Sequence, residues 1–265
     1  MMDKLILGRF IPGDSVIHRL DPRAKLIATF YFIMIIFLAN NAITYGILTI
    51  FTLLAIFLSG LSFSFFLKGV RPMLFLILFT VLLQIFFTTG GKELFAIGPL
   101  KITEFGLVNA GFIFMRFVLI IFISTLMTLS TTPLSLSDAL ESILSPLNAI
   151  KFPVHEISLM LSIALRFVPT LMDETEKIMN AQRARGVDFS EGSLIQKMKA
   201  VVPLLIPLFV SSFKRAEDLS DAMEARGYQG GEGRTRYRKL DWAKRDSISI
   251  GAMALLTLFL FLFRR

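Results

Sequence analysis

Cysteine is absent from the 265 residues, and only two histidines and one tryptophan are present. The lack of thiols excludes disulfide bonds and thiolate chemistry. Charge is also missing from one long stretch, because residues 26–67 contain no Asp, Glu, Lys or Arg. About 20 apolar residues cross a hydrocarbon core roughly 30 Å thick, so this run is long enough for two crossings. With 54% hydrophobic residues, the chain is predicted to be an all-α membrane protein.

The remaining apolar segments extend this pattern. The first 25 residues carry eight charges and hold no apolar core of a cleaved signal peptide, so the N-terminus is expected in the cytoplasm. Residues 90–105 then form an external loop. Five transmembrane helices are expected, at about 24–40, 42–60, 71–89, 106–130 and 246–263.

The region 131–245 differs from the rest, since residues 138–246 carry 31 charges, 16 basic and 15 acidic. Three amphipathic cytoplasmic helices are predicted in it. The first is short and ends near Pro146, the second runs from Val154 to about Arg185, and the third runs from about Leu194 toward Arg226.

The second of these helices is apolar enough to cross, but it contains His155, Glu156 and Arg166. An ionised side chain at bilayer depth costs about 2.5–3.5 kcal/mol, so we expect the helix to lie at the inner interface. The predicted organisation is therefore residues 1–130 with four spans, 131–245 as a cytoplasmic coupling region, and 246–265 as the final span.

The second and third helices end in the same motif. Glycine adopts the left-handed conformation that closes a helix, and a cation beside it meets the negative end of the helix dipole. A single copy is an ordinary cap, whereas two copies in one region favour a pair of partner-binding elements whose arginines make forked hydrogen bonds. The two copies comprise Ala184, Arg185 and Gly186 and, 41 residues later, Ala225, Arg226 and Gly227.

A phosphate-binding loop for ATP is missing. The one Gly-Lys pair, Gly91-Lys92, is followed by Glu93, and Phe86 stands where the motif requires its leading glycine. Any energy from ATP must come from a partner protein.

Four segments resemble the transmembrane T component of energy-coupling factor transporters, and the resemblance extends over essentially the whole chain. They are FIPGDSVIHRLDPRAKL (10–26), TTPLSLSDALESILSPL (131–147), HEISLMLSIALRFVPTLMDETEKIMNAQRARG (155–186) and DAMEARGYQGG (221–231).

The resemblance implies an importer module for vitamins or transition metals. It consists of this scaffold, two cytoplasmic ABC-type ATPases, and one or several membrane S components that bind the substrate. The resemblance also implies that the residue triplets 184–186 and 225–227 each dock into one ATPase. The chain itself is then not an enzyme and needs no cofactor.

Other candidate sites are weaker. Arg116, about ten residues into the fourth span, is interpreted either as a structural anchor or as a contact with a partner protein. A His-Glu-x-x-His metal site starting at His155 fails because residue 159 is Leu, so no metal site is predicted.

The basic run with Arg234, Arg236, Arg238 and Lys239 suits anionic lipid better than nucleic acid, because it lies just before the last span. Two other functions remain as alternatives, a self-contained secondary transporter and a membrane-embedded enzyme. The first requires ionisable groups on several spans, where only Arg116 qualifies, and the second requires a catalytic set that the sequence does not offer.

Overall fold

The computed structural model describes residues 10–88, 90, 92–97, 100–150, 152–187, 189, 193–230 and 240–264. The chain divides into two compact units. One comprises residues 1–139 and 240–265, and the other comprises residues 140–239. We call them the membrane unit and the coupling unit.

The membrane unit is a helical bundle. Asp21 begins the first helix by accepting a hydrogen bond from the Arg23 backbone N–H at 2.8 Å, with Pro22 at the first helical position. Its helices are α1 (Pro22–Ile35), α2 (Ala42–Ser59), α3 (Phe63–Val70), α4 (Leu74–Phe87), α5 (Glu104–Ser130), the first half of α6 (Pro133–Leu144), and α9 (Lys244–Phe263).

A two-stranded antiparallel hairpin separates α4 from α5. It consists of β1 (Glu93–Ile97) and β2 (Leu100–Thr103). The sequence predicted only an external loop here, because strands of four and five residues give a weak periodic signal. The Thr103 side chain then begins α5 by accepting from the Gly106 N–H at 3.0 Å.

Helices α1 and α9 run parallel, side by side. At one end the Asp21 N–H donates to the Asp246 carboxylate, and at the other the Asn41 side chain donates to the Phe263 carbonyl. The α-helical part of α1 is only 14 residues long, but a 3-10 turn at 36–38 continues it. The segment from 21 to 41 therefore matches the length of α9, and the two segments run in the same direction, as the predicted first and last spans require.

The core of the membrane unit is apolar and aromatic. Buried residues from α1, α2, α3, α5 and α9 form one cluster, in which Phe66 and Phe122 pack edge to face at 5.8 Å. Helix α4 is different, since only Ile77 of its residues is buried. Helix α4 packs on α5 and on β2, and more than half of its residues are exposed.

A buried polar network closes one end of this unit. Asp246, 1% exposed, accepts from the backbone N–H groups of Asp21 and Ala243, both at 2.8 Å. The buried Lys25 ammonium donates to the carbonyls of Ser130 at 2.8 Å and His18 at 3.1 Å. These bonds join the N-terminal segment, α1, the end of α5 and the start of α9.

The coupling unit contains the rest of α6, a 3-10 segment at 145–150, α7 (Val154–Ala184) and α8 (Leu194–Ala225). The predicted bounds of the three amphipathic helices are confirmed to within two residues. Proline and glycine explain this accuracy, since Pro133 and Pro153 precede or open helices and Gly186 and Gly227 follow them.

Helices α7 and α8 pack antiparallel. Ile163 and Met223 line one end of a shared apolar groove, and at the other end Glu174 accepts from Arg215 at 2.9 Å. The neighbouring carboxylates of Asp173 and Glu176 are exposed, whereas Glu174 is half-buried in the ion pair.

Among the residues that the structure describes, five helical segments are long and apolar enough to cross a membrane, as the sequence predicted, but they are not the same five. The 24–40 segment is absent from the set because its α-helix is short, and α7 takes its place despite its charges. The five are Ala42–Ser59, Phe63–Phe87, Glu104–Ser130, Val154–Ala184 and Lys244–Phe263.

Candidate functional site

The end of α7 is closed by a Schellman motif. Gly186 has φ +86°, its N–H donates to the Arg183 carbonyl at 2.9 Å, and the Val187 N–H donates to the Gln182 carbonyl at 3.1 Å. These two bonds satisfy carbonyls that the last helical turn leaves without partners. Arg185 is the last residue before the glycine, so the motif fixes its backbone at the tip of the helix.

The end of α8 repeats this geometry. Gly227 has φ +71°, its N–H donates to the Glu224 carbonyl at 2.8 Å, and the Tyr228 N–H donates to the Met223 carbonyl at 3.0 Å. Arg226 occupies the place that Arg185 has in α7. The sequence repeat is therefore also a structural repeat, because the same two backbone hydrogen bonds close each helix.

Both tips are open to solvent. All six residues of the two triplets 184–186 and 225–227 are exposed, and a Cβ added to either glycine would meet no atom within 4 Å. Within the described part of the chain, neither Arg185 nor Arg226 forms a side-chain hydrogen bond or an ion pair. The neighbouring Arg183 instead donates to the Asn180 side chain at 3.2 Å.

The two tips lie far apart, because α7 and α8 are antiparallel. The end of α8 lies near Ile163, and Ala184 is 21 residues further along α7. At 1.5 Å per residue this corresponds to a separation on the order of 30 Å. One small ligand cannot contact both arginines, whereas two protein domains can each hold one.

Arg116 lies within the membrane unit and is half-buried. Its Nε donates to the Tyr45 hydroxyl at 3.0 Å, and its guanidinium carbon lies 5.0 Å from the centre of the Phe37 ring. The structure therefore gives it neutral contacts inside the chain. Its proposed role as an anchor or a partner contact stays a prediction.

A polar cluster at the start of α7 was missed by the sequence reasoning. Glu141 of α6 contacts the His155 ring Nδ1 at 3.2 Å and accepts from the Ser158 hydroxyl at 2.8 Å. The pairing ties the start of α7 to α6 across a proline-containing turn. His155 and Ser158 lie 14 and 17 positions from Glu141 in the chain, so no local sequence pattern predicted these contacts.

Among the residues described, no group of three or more His, Asp or Glu side chains is arranged to hold a metal ion. The basic run at 234–239, predicted to contact lipid, lies outside the described residues.

Comparison with known proteins shows what the chain is related to. The model of a family described as "Cobalt transport protein" matches residues 13–237. A protein of Lacticaseibacillus paracasei named "Energy-coupling factor transporter transmembrane protein EcfT" is 65% identical over 99% of this chain and 100% of its own length. The chain belongs to the EcfT family.

Two further members of the EcfT family carry the same name. The protein of Streptococcus equi is 64% identical over 98% of this chain and 97% of its own length, and that of Bacillus subtilis is 54% identical over 100% of both. The chain is thus a multi-pass membrane component of an energy-coupling factor transporter, as the resemblance in four sequence segments predicted.

Proposed function

We propose that this chain is the energy-coupling scaffold of an ABC-type importer, in which two cytoplasmic ATPases each hold one arginine tip. The observation that carries the proposal is the pair of identical, exposed and widely separated helix ends. Each guanidinium is free to form forked hydrogen bonds with carboxylates or main-chain carbonyls of a partner. Two like tips suit a pair of related subunits.

The same helices offer a surface to the substrate-binding S component. Met160, Met198, Phe209 and Phe213 are each about two-thirds exposed, at 67%, 71%, 65% and 67%. Methionine and aromatic side chains make adaptable apolar contacts, which suits a scaffold that serves several S components. When the ATPases close on ATP and reopen, they move the two tips relative to each other, and α7 and α8 carry this motion to the S component.

In this proposal the chain is not an enzyme and binds no cofactor, and ATP is hydrolysed by the partners. It resides in the cell membrane with its N-terminus in the cytoplasm, and the coupling unit lies on the same side. The cargo is a vitamin or another micronutrient. The lipid bilayer, the ATPase pair and the S components are its partners.

The test is co-expression of the tagged chain with the ABC-type ATPases of its own host, followed by purification in mild detergent. We expect the double variant Arg185→Ala and Arg226→Ala to fold normally but to retain less than about a tenth of the ATPase, because each lost charge-assisted hydrogen bond weakens docking by about 1.5–3 kcal/mol. Each single variant should show a smaller loss.

Arg183→Ala provides a matched control. Arg183 lies in the last turn of α7 with the same charge, but it is bonded within its own helix. ATPase retention by this control should equal that of the unaltered chain. Full retention by the double variant would contradict the docking role.

A further inference from the structure

Arg116 has a large unused hydrogen-bonding capacity. A guanidinium carries five N–H donors, and Arg116 uses its Nε on the Tyr45 hydroxyl. Across the described residues no carboxylate lies within ion-pair distance, and no acceptor receives its terminal N–H groups. A charged side chain in a membrane span is expected to face water, a partner or an anion.

The contacts of Arg116 place its guanidinium close to one face of the membrane unit. Tyr45 is the fourth residue of α2, about 5 Å from the start of that helix. Phe37 lies in the 3-10 turn that ends the α1 segment. Asn41, which begins α2, bonds to Phe263 at the end of α9. The guanidinium therefore lies near the level at which three helical segments begin or end.

An open apolar groove adjoins the same side chains. Tyr45 stacks on Phe112 with ring centres 4.9 Å apart, and both rings line a groove of about 540 Å³ between α2 and α5. Its wall includes Gly46 and Gly111, and a Cβ added to either would meet no atom within 4 Å. Packing among the described residues does not fill this space.

We propose that Arg116 and this groove form a binding site for an anionic phospholipid of the leaflet on the side of the α1–α2 turn. The terminal N–H groups of Arg116 donate to the phosphate, which a planar guanidinium binds in forked fashion. One acyl chain fills the groove between α2 and α5. A single lipid supplies both the anion and the apolar chain, and its phosphate resides at the membrane face where the guanidinium lies.

A carboxylate on a partner membrane helix is the competing occupant. It would satisfy the cation but would itself have to be desolvated at this depth, whereas a lipid phosphate is already at the interface. The groove is also apolar along its length, which matches a hydrocarbon chain.

The test measures lipid binding to the full purified chain. Three probes are titrated: phosphatidylglycerol, phosphatidylcholine with the same acyl chains, and inorganic phosphate. Bound lipid is counted by native mass spectrometry, and the midpoint of thermal unfolding is recorded. We expect one tightly held phosphatidylglycerol, weaker retention of phosphatidylcholine, and no response to inorganic phosphate.

The variant Arg116→Gln should hold phosphatidylglycerol about tenfold more weakly, the loss expected for a charge-assisted bond to phosphate. Arg264→Gln is the matched control, because it removes a cation that follows Phe263 at the same end of the bundle but does not line the groove between α2 and α5. Equal retention by both variants would overturn the proposal, as would equal stabilisation by inorganic phosphate.

A second variant tests the groove without touching the cation. Gly46→Leu fills the open space, and Gly251→Leu adds the same side chain at another helical glycine with no atom within 4 Å. We expect only Gly46→Leu to release the lipid. If neither glycine variant changes the retention of phosphatidylglycerol, the acyl-chain assignment is wrong.

Discussion

The membrane unit and the coupling unit are built in opposite ways. In the membrane unit, five helices share one buried cluster, and buried polar groups such as Asp246 and Lys25 bond segments that are more than 100 residues apart. In the coupling unit, α7 and α8 share one groove and one half-exposed ion pair, and large apolar side chains remain uncovered. The membrane unit therefore depends on contacts between distant parts of the chain, whereas α7 and α8 leave most of their residues at least partly exposed.

Because of this difference, we expect substitutions in the two units to have different effects. Substitutions in the membrane unit should lower the yield and stability of the chain by itself. Substitutions at the surface of the coupling unit should leave the isolated chain intact and reduce its association with partners.

The largest effect is expected for Asp246→Ala. The change leaves the N–H groups of Asp21 and Ala243 without their acceptor and removes the first-turn carboxylate of α9. Each N–H that loses its partner costs about 1–3 kcal/mol, so we expect the free energy of unfolding to fall by about 2–6 kcal/mol. Thermal unfolding and the fraction of monodisperse protein would measure the loss.

Asp241→Ala is its control, since Asp241 is an exposed carboxylate five residues away. It should change stability by less than about 0.5 kcal/mol. Similar behaviour of the two variants would show that the buried network does not hold the unit together.

The next effect concerns the helix tips. Gly186→Ala and Gly227→Ala force a side chain into positive φ, which costs roughly 1–2 kcal/mol per residue. No added clash occurs, because the space around each Cβ is open. We expect each tip to fray and ATPase retention to fall without loss of the membrane unit, as seen by hydrogen exchange at 183–187 or 224–228.

Gly251→Ala is the comparison for the tips, because Gly251 lies inside α9 with open space around it and no positive φ. It should not reduce ATPase retention. A tip variant with normal exchange and normal retention would show that the left-handed cap is dispensable.

A smaller effect is expected for Glu174→Gln, which breaks the ion pair with Arg215. The ion pair is half-exposed, so its contribution to the free energy of unfolding should be modest and should become smaller as the salt concentration rises. A double-mutant cycle with Arg215→Met, run at low and high salt, measures the coupling energy. Asp173→Asn, an exposed neighbour, should show no coupling to Arg215 at either salt concentration.

The smallest effect is a pH dependence at His18. Burial is the main cause that lowers the pKa of His18 below its ordinary value of 6.5, assisted by the nearby Lys25 cation and opposed by the Ile11 carbonyl. As pH falls, His18 is therefore protonated in the unfolded chain at a higher pH than in the folded chain. The contribution of neutral His18 to stability is present above pH 6.5 and is lost as pH falls from 6.5 toward the lower folded value.

The measurement compares thermal midpoints at pH 7.5 and 5.5 in a His155→Gln background, which leaves His18 as the remaining histidine. His18→Gln should reduce the difference between the two midpoints. An unchanged difference would assign the pH dependence to other groups.

The sequence predicted the helices of the coupling unit well, because prolines and glycines mark their ends. It predicted that α7 and α8 each end in a glycine cap for the same reason, because the Gly of Ala-Arg-Gly closes a helix through local hydrogen bonds. It missed the contacts of Asp246 with Asp21 and of Glu141 with His155, because these depend on tertiary packing of residues that are distant in the chain.

Depth in the membrane was also difficult to predict. Counting from the start of α5 placed Arg116 well inside the span, but its contacts with Tyr45 and Phe37 place the guanidinium near the level at which the α1 segment ends and α2 begins. The arginine side chain is long, and the position of its charge is set by neighbouring helices rather than by its own place in the sequence.

The antiparallel arrangement of α7 and α8 has a mechanical consequence. Their C-terminal ends lie on opposite sides of the Glu174–Arg215 ion pair, so equal pulls on both ends in one direction would shift the two helices together. Pulls in opposite directions instead produce a torque about that ion pair. A pair of ATPases that separates and rejoins would thus rotate α7 and α8 relative to each other about that ion pair. The exposed methionines and phenylalanines of the two helices would then move across the surface of any protein bound to them.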